Sequence, residues 1–296
     1  MTEAYHIPVL QKEAIEFLIT YVNGKYVDAT LGGGGHSEKI LELISSNGKL
    51  VAIDADSDAI LFSEKRLEKF SNKILVHDNF RNLKTILEKG KTEKVNGVLF
   101  DLGISSYQID DESKGFSFRG NARLDFRMNR EQELDGYTII NEYDESELAD
   151  IFFYFGEERN SRRIARRIIE ERKLKPISTT EELKILVQKC VGGKFLNKSL
   201  ARIFQAVRIA VNDELESLKQ ALEQAIDVLL PTGRIVVISY HSLEDRIVKQ
   251  MFQANAKNES PRLMILTRKV FLPSEEELKT NPRSRSAKMR VAEKLP

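Results

Sequence analysis

The sequence predicts an α/β protein with a mostly parallel sheet and an inserted helical region, on three observations. Up to Gly103, short apolar runs alternate with segments of helical period, the pattern of successive βαβ units. A glycine-rich turn, Thr30-Leu31-Gly32-Gly33-Gly34-Gly35-His36, separates the first strand from the first helix of that series. The rhythm stops after Gly103, gives way to helical patterns alone, and returns at Asp213.

The elements follow in order. "KYVDAT" (25–30) reads as a short strand and "HSEKILELISS" (36–46) as a helix. "KLVAIDAD" (49–56) is a strand, followed by "SDAILFSEKRLEKF" (57–70), a helix opened by a Ser or Asp cap. "ILVHDNF" (74–80) and "VNGVLFDLG" (95–103) are strands, with "RNLKTILEKG" (81–90) a helix between them. Residues from about Tyr107 to Gly136 are polar and rich in Gly, Asp and Arg. Four helical stretches follow, at 145–156, 160–173, 179–190 and 200–212. "DELESLKQALEQAIDVLL" (213–230) then sets Leu215, Leu218, Leu222, Ala225, Ile226 and Leu229 on one helical face, and Pro231 and Gly233 end it. "RIVVISYHS" (234–242) is a buried strand and "LEDRIVKQMF" (243–252) a helix. "LMILTRKV" (263–270) and "AKMRVAEKL" (287–295) are final strands, an antiparallel pair at one sheet edge.

Composition sets the class. A chain of 296 residues, 41% hydrophobic and 31% charged, has the make-up of a globular protein able to bury a large core. The single cysteine, Cys190, excludes an intrachain disulfide and favours a reducing compartment. No apolar run is long enough to span a bilayer, and the first residues lack the pattern of a signal peptide, so the expected location is cytoplasmic with no membrane partner. Four histidines and one cysteine form no metal-ligand spacing, and no metal is expected. The net charge of +1 conceals two basic stretches, "RNSRRIARRIIEERKLK" (159–175) and "NPRSRSAKMR" (281–290).

Parallel α/β sheets bind ligands beyond the carboxyl ends of their strands. Gly32 to Gly35 stand there after the first strand, and Asp54 ends the second, at the distance along the chain where an acid accepts hydrogen bonds from ribose hydroxyls. Asp78 and Phe80 end the third, suited to an adenine amino group and ring face, and Asp101 ends the fourth. Any one of these can be an ordinary loop acid or tight turn; together they favour a nucleoside cofactor. The glycine spacing is not G-x-G-x-x-G, and His36-Ser37 replaces the Lys-Ser/Thr of a P-loop, so phosphate-bearing cofactors fit poorly. S-adenosylmethionine carries no phosphate and needs a bare turn, an acid for ribose and an apolar face for adenine.

The segments "HIPVL", "DATLGGGGHS", "AIDAD", "DLGISSYQID", "GFSF", "LDFRMN", "FGEERNSRRIARRI", "FQAVRIAVNDEL", "SYHSLEDRIVK" and "NPRSRSAKMR" run in order along nearly the whole chain. They resemble the MraW family, S-adenosylmethionine-dependent methyltransferases acting on the N4 amino group of a cytidine in the decoding region of 16S ribosomal RNA. The resemblance implies a class I (Rossmann-like) methyltransferase fold with a seven-stranded, mostly parallel sheet. It divides the chain into a methyltransferase domain, 1–106 and 208–296, and an all-helical insertion, 107–207, as an RNA-recognition domain. It places cofactor contacts on Gly34, Gly35, His36, Asp54, Phe80, Asp101 and Gln108. The expected partner is 16S RNA or the small ribosomal subunit, and the family's dimers imply a homodimer. One departure is Arg123 before Leu124-Asp125-Phe126-Arg127-Met128, where the family usually has proline and Leu-Asp-Met-Arg-Met; it leaves the local loop shape open.

The reaction is an in-line displacement in which an amino nitrogen attacks a sulfonium methyl, so the protein positions and polarises. A hydrogen-bond acceptor at the amino group would help, and a base must take the proton. Asp101 is the first candidate, with holding the cofactor's ammonium as its alternative role; Tyr107 could stack on the base, and Ser239, His241 and Ser242 end another central strand in the layer of the substrate. His36 has a plain alternative as a helix cap and His241 as a core histidine. For RNA, Arg159, Arg162, Arg163, Arg166 and Arg167 form a broad basic face, which could equally be a solvated face paired with Glu157, Glu158, Glu170 and Glu171. Arg119, Arg283 and Arg285 complete the RNA-binding candidates. Competing readings are a DNA amino-methyltransferase, disfavoured by the missing Pro-Pro-aromatic run after Asp101, a nicotinamide dehydrogenase, disfavoured by the glycine spacing, and a non-catalytic assembly factor.

Overall fold

The computed structural model describes residues 8–105, 108–109 and 111–296. The chain divides into two compact units, residues 1–105 with 215–296, and residues 106–214. The helix Leu196–Asn212 runs unbroken through the expected boundary between residues 207 and 208, and the second unit extends to residue 214.

The first unit is a seven-stranded sheet. Its strands are β1 (Lys25–Asp28), β2 (Lys49–Asp54), β3 (Lys73–His77), β4 (Val95–Asp101), β5 (Leu229–Ser239), β6 (Leu263–Ile265) and β7 (Lys288–Lys294), in the order β3-β2-β1-β4-β5-β7-β6. The first five pair in parallel; β7 runs antiparallel to both β5 and β6. Side chains alternate between the two faces, as a strand requires. Val98 and Phe100 of β4 with Ile235 and Val237 of β5 enter one core; Leu99 with Val236 and Ile238 enter the other. Both faces are covered, which is why these strands read as continuous apolar runs.

The helices of this unit are α1 (Gln11–Leu18), α2 (Gly35–Leu43), α3 (Ser57–Arg66) and α4 (Leu83–Lys89). The cap of α3 is Asp56, whose side chain accepts from the Asp58 amide. Helix α1 is not among the elements expected from sequence; it buries Ala14, Ile15 and Leu18. Pro231 and Gly233 do interrupt regular structure, but inside the span of β5. Its pairing with β4 jumps from Val95↔Leu229 to Gly97↔Arg234, leaving Leu230–Gly233 out of the ladder. The edge strand is shorter than 263–270. Beyond Ile265 the ladder becomes irregular, because the Thr267 hydroxyl rather than a carbonyl accepts from Val291 N.

The second unit is helical: α5 (Gly136–Glu142), α6 (Glu145–Tyr154), α7 (Ser161–Arg172), α8 (Thr180–Cys190) and α9 (Leu196–Asn212). Reciprocal capping boxes, Asp144 with Glu147 and Thr179 with Glu182, start α6 and α8. Leu148, Phe152, Ile164, Ile168, Leu183, Val187, Ile203 and Val207 are buried in it. The segment that departs from the family pattern is held by Arg127, which binds both carboxylate oxygens of Asp125. Phe126 beside it adopts φ +62° and is fully buried. The side chain of Asn212 donates to its carbonyl, which helps hold a conformation that a bulky residue seldom takes.

Two helices complete the first unit around β5: α10 (Glu214–Val228), whose last fourteen residues belong there, and α11 (Ser242–Ala256). A short helix, α12 (Glu275–Thr280), precedes β7. No helix among the described residues is long and apolar enough to cross a membrane.

Candidate active site

The parallel registers Asp54↔His77 and Asp101↔Ile238 set neighbouring strand ends beside one another, and the polar residues of the motifs gather at that edge. The glycine turn is tied down from three sides. Asp54 Oδ2 accepts from Gly32 N at 2.7 Å, Ser63 Oγ donates to Gly32 O at 2.8 Å, and Arg66 Nη1 donates to Gly33 O at 2.8 Å.

The glycines are bare for different reasons. A Cβ on Gly35 would stand 2.3 Å from Pro8 Cγ, and one on Gly34, whose φ is +73°, would stand 2.9 Å from Ser63 Oγ. Those two make room for the protein's own packing. Gly32, at φ +49°, meets nothing closer than Thr30 O at 3.9 Å. Its face is open.

Behind the turn lies a buried charge cluster. Asp28, fully buried at the end of β1, accepts from Ser37 Oγ at 2.7 Å and from Thr30 N at 3.2 Å. His36 is also buried, in the first turn of α2, with Nε2 3.3 Å from Asp101 Oδ2. The other oxygen, Asp101 Oδ1, accepts from the Tyr240 hydroxyl at 2.7 Å, and Thr30 Oγ1 accepts from Asp101 N at 2.7 Å.

These contacts set the protonation states. Burial opposes charge on His36, but Asp101 and then Asp28 outweigh it, so its pKa is raised. Burial likewise raises Asp28, against the pull of His36 and Ser37. Burial and the Asp101 charge push the Tyr240 phenol well above its ordinary value, so it remains a donor. Asp54 is raised to about 6 by burial, although the Asp56 and Gly32 amides work the other way.

The remaining residues fall into place unevenly. Phe80 stands half-buried, edge-on to Phe100 with centroids 5.9 Å apart. Asp78 Oδ1 accepts from Asn79 N and from Asn82 Nδ2. The two histidines exchange their plain alternatives. His36 is not the cap of α2, since that position is Gly34. His241 is a cap: its Nδ1 accepts from Glu244 N at 3.4 Å at the start of α11, and Nε2 lies 3.1 Å from Glu244 Oε1. Ser239 ends β5 as expected; it is buried and its hydroxyl donates to Lys288 O on β7 at 3.4 Å. Ser242 is exposed. Gln108 is buried within the second unit, and Tyr107 lies outside the described residues.

Asp28, Thr30, Ser37 and Tyr240 are not among the site residues expected from sequence. Asp28 has a signal there, an acid at the end of an otherwise buried strand. Tyr240 lies inside the "SYHS" segment, between residues that are expected.

The arginines divide by pairing. Arg166 lies 3.4 Å from Glu145, and Arg167 lies 2.5 Å from Glu171 and 3.5 Å from Glu170. Arg159, Arg162 and Arg163 are exposed and have no carboxylate within ion-pair distance among the described residues. Arg119 and Arg285 are exposed, whereas Arg283 is half-buried in the turn Pro282–Ser286.

The site fits S-adenosylmethionine on its own chemistry. Both nitrogens of the buried His36 ring lack a well-aligned hydrogen-bond partner, Gly32 offers an open backbone face, and the imidazole faces Asp101 within the field of a second buried carboxylate, Asp28. Such an acid-rich well favours a cationic ligand over a pyrophosphate. Fold and site together define a class I methyltransferase that uses S-adenosylmethionine. The chain belongs to the MraW methylase family, whose model matches residues 3–295. It is similar to proteins named "Ribosomal RNA small subunit methyltransferase H". The one from Dehalococcoides mccartyi is 51% identical over 100% of this chain and 88% of the relative. That from Clostridium botulinum is 46% identical over 99% and 100%, and that from Fusobacterium nucleatum 43% over 98% and 97%.

Proposed function

We propose that this protein transfers the methyl group of S-adenosylmethionine to the N4 amino group of a cytidine in the decoding region of 16S ribosomal RNA. The observation that carries the reading is the coincidence of the strand-end set Asp54, Phe80 and Asp101 with the glycine turn and His36, in a chain whose relatives bear the name of a small-subunit RNA methyltransferase. Association as a homodimer and a cytoplasmic location belong to the same reading.

The cofactor, when bound, supplies an activated methyl group and its own leaving group. Asp54, ionised above about pH 6, accepts from ribose hydroxyls. Phe80 offers a ring face to adenine and Asp78 an acceptor to its amino group. Gly34, Gly35 and Gln108 are carried as cofactor contacts by the family pattern; the packing of Gly34 and Gly35 against Ser63 and Pro8 makes their part the shaping of the turn. Asp101 already accepts from Tyr240 on one oxygen and faces His36 with the other. That engagement favours Asp101 as the group that holds the cofactor's ammonium, with the charge on His36 setting its strength. A main-chain carbonyl of the loop after Asp101 accepts a hydrogen bond from the amino group, and the proton released from the methylated nitrogen passes to water, with Tyr107 stacking on the base and His241 and Ser242 lining the approach. The target base must leave its stack to be reached, so single-stranded or distorted RNA is the better substrate. The basic residues Arg119, Arg159, Arg162, Arg163, Arg166, Arg167, Arg283 and Arg285 hold its backbone.

The test is to incubate the protein with methyl-labelled S-adenosylmethionine and, separately, naked 16S RNA, assembled small subunits and duplex DNA. Label on a cytosine amino group in RNA or subunits is expected. Label confined to DNA would replace this reading with a DNA amino-methyltransferase, and failure to bind the cofactor would overturn the assignment of the site.

A further inference from the structure

The helices α6 and α7 meet in a tight turn, closed by hydrogen bonds from Glu157 N to Phe153 O at 3.0 Å and from Glu158 N to Phe152 O at 3.1 Å. Phe152 is fully buried, but the next two residues are not. Phe153 is 53% exposed and Tyr154 60% exposed, and their rings meet edge to face with centroids 5.2 Å apart. Single exposed apolar side chains are ordinary; an aromatic pair held out of the core is not needed for folding.

The charge that follows the pair across the turn is one-sided. Arg159, Arg162 and Arg163 are exposed without a carboxylate in reach among the described residues, although Arg166 and Arg167 one turn further on are paired. Of the two acids in the turn, Glu158 points inward: it is 1% exposed and its Oε1 accepts from Asn160 N at 2.8 Å. Glu157 alone remains exposed against three guanidinium groups. Arg162 and Arg163 also occupy the first turn of α7, where the helix dipole disfavours cations and no acid offsets them. An anionic partner would remove that cost, and flat apolar faces beside it suit unpaired bases.

We infer that Phe153 and Tyr154, with Arg159, Arg162 and Arg163, form a binding surface for single-stranded RNA. Bases stack on the aromatic pair and phosphates meet the arginines. The inference rests on the RNA reading above and adds to it a stacking element and a division of the arginines into free and paired. Duplex RNA does not satisfy this surface, because its base faces are already stacked.

The test uses the full-length protein and a fluorescent single-stranded oligoribonucleotide of mixed sequence, with affinity measured across a salt series. Phe153→Ala/Tyr154→Ala should weaken binding about tenfold or more while leaving the salt dependence unchanged. Tyr154→Phe, which keeps the ring, should bind like the parent. Arg162→Ala/Arg163→Ala should reduce the slope of log affinity against log salt by about 0.7 per arginine. All variants should keep the parent's Tm and cofactor affinity. The surface is ruled out if the double aromatic variant binds the oligonucleotide as the parent does, or if its only change is loss of self-association in sedimentation. Methylation separates this inference from the one beneath it. If the parent methylates small-subunit RNA and the aromatic variant does so with unchanged KM and affinity, the stacking surface fails alone. If the parent binds the oligonucleotide through these residues but methylates no ribosomal RNA, the surface stands and the substrate reading fails.

Discussion

The two edges of the same sheet carry charge in opposite ways. At the amino edge, Asn23, Lys25, Glu88, Lys91, Glu93, Lys94, Asn96 and Leu230 surround a hollow of about 610 Å³. All of them but Asn96 are exposed, and ions of both signs stand in water. At the carboxyl edge, Asp28 and His36 are buried and Asp101 keeps 14% of its side chain exposed. Hydrated charge costs little and says little about function. Charge taken out of water costs several kcal/mol per ion unless it is matched, so its presence at one edge demands a reason that the hollow at the other does not. The comparison teaches that the burial of ions, not the size of an opening, locates this site.

The comparison breaks most readily at Asp101. Asp101→Ala removes the shared partner of His36 and Tyr240 and leaves a buried imidazole with only the more distant charges of Asp28 and Glu277. Truncating one partner of a buried, hydrogen-bonded charge pair costs about 2–5 kcal/mol, so cofactor affinity should fall by roughly a hundredfold or more. Lys91→Ala and Lys94→Ala at the amino edge should leave affinity within about twofold, as surface substitutions do. Calorimetric titration of the three variants measures this; equal losses at both edges would remove the distinction.

The glycines sharpen it. Gly35→Ala forces a Cβ against Pro8, in a segment fixed by the hydrogen bond from Leu10 N to Glu277 Oε1, so it should lose about 1–3 kcal/mol of stability and cofactor affinity as well. Gly32→Ala meets no protein atom closer than 3.9 Å; it bears the strain of positive φ, about 1–2 kcal/mol. Its loss of cofactor affinity should therefore exceed its loss of stability. Melting curves with and without cofactor separate the two, and parallel losses in both variants would deny that Gly32 faces the ligand.

Much of this fold and site is legible in the amino-acid sequence. Alternation along the first unit predicts the parallel sheet because both of its faces are covered by helices, and Asp54, Phe80 and Asp101 stand out because strand ends are where such a sheet binds. What is not legible depends on distance in space. Nothing in the sequence places Tyr240 against Asp101, 139 positions away. Nor does it place Pro8 against Gly35, so the reason for two of the four glycines is hidden there. For Ser239 the sequence gives the end of a strand but not which neighbour its hydroxyl will find. The pairing of Arg167 follows from Glu170 and Glu171 close by in sequence; that of Arg166 with Glu145, 21 positions away, does not, nor does the freedom of Arg162 and Arg163.

Titration offers a smaller, two-sided test. Asp54 has a folded pKa of about 6 against an ordinary 3.8, so the native state retains its proton across that window. Stability of the cofactor-free protein should therefore decline as pH rises from 3.8 through about 6. His36, raised above its ordinary 6.5, extends the decline: its contribution is complete below 6.5 and lost as pH climbs through the higher folded value. Cofactor affinity should run the other way, falling about tenfold per pH unit below 6, because ribose hydroxyls need the ionised Asp54. The rise in Tm on adding cofactor should thus grow from pH 5 to 7 while the cofactor-free Tm falls. Asp54→Asn should flatten the growth, and a growth that survives the substitution would move the titration to another group.

Tyr240→Phe is the finest cut. The ring remains, packed against Gly103, where a Cβ would stand 3.2 Å from Tyr240 Cδ2, so little repacking is expected. Only the donor to Asp101 Oδ1 is lost, and Asp101 is open enough for water to recover part of it. A net loss of about 1 kcal/mol, roughly fivefold in cofactor affinity, follows for one hydrogen bond of this kind. If Asp101 holds the cofactor, the effect belongs to KM for S-adenosylmethionine and leaves kcat at saturation unchanged. If Asp101 instead takes the proton from the substrate, removing a donor makes it a stronger base, and the change appears in kcat and in the pH profile of kcat. Steady-state kinetics across pH on this one variant therefore decides between the two roles.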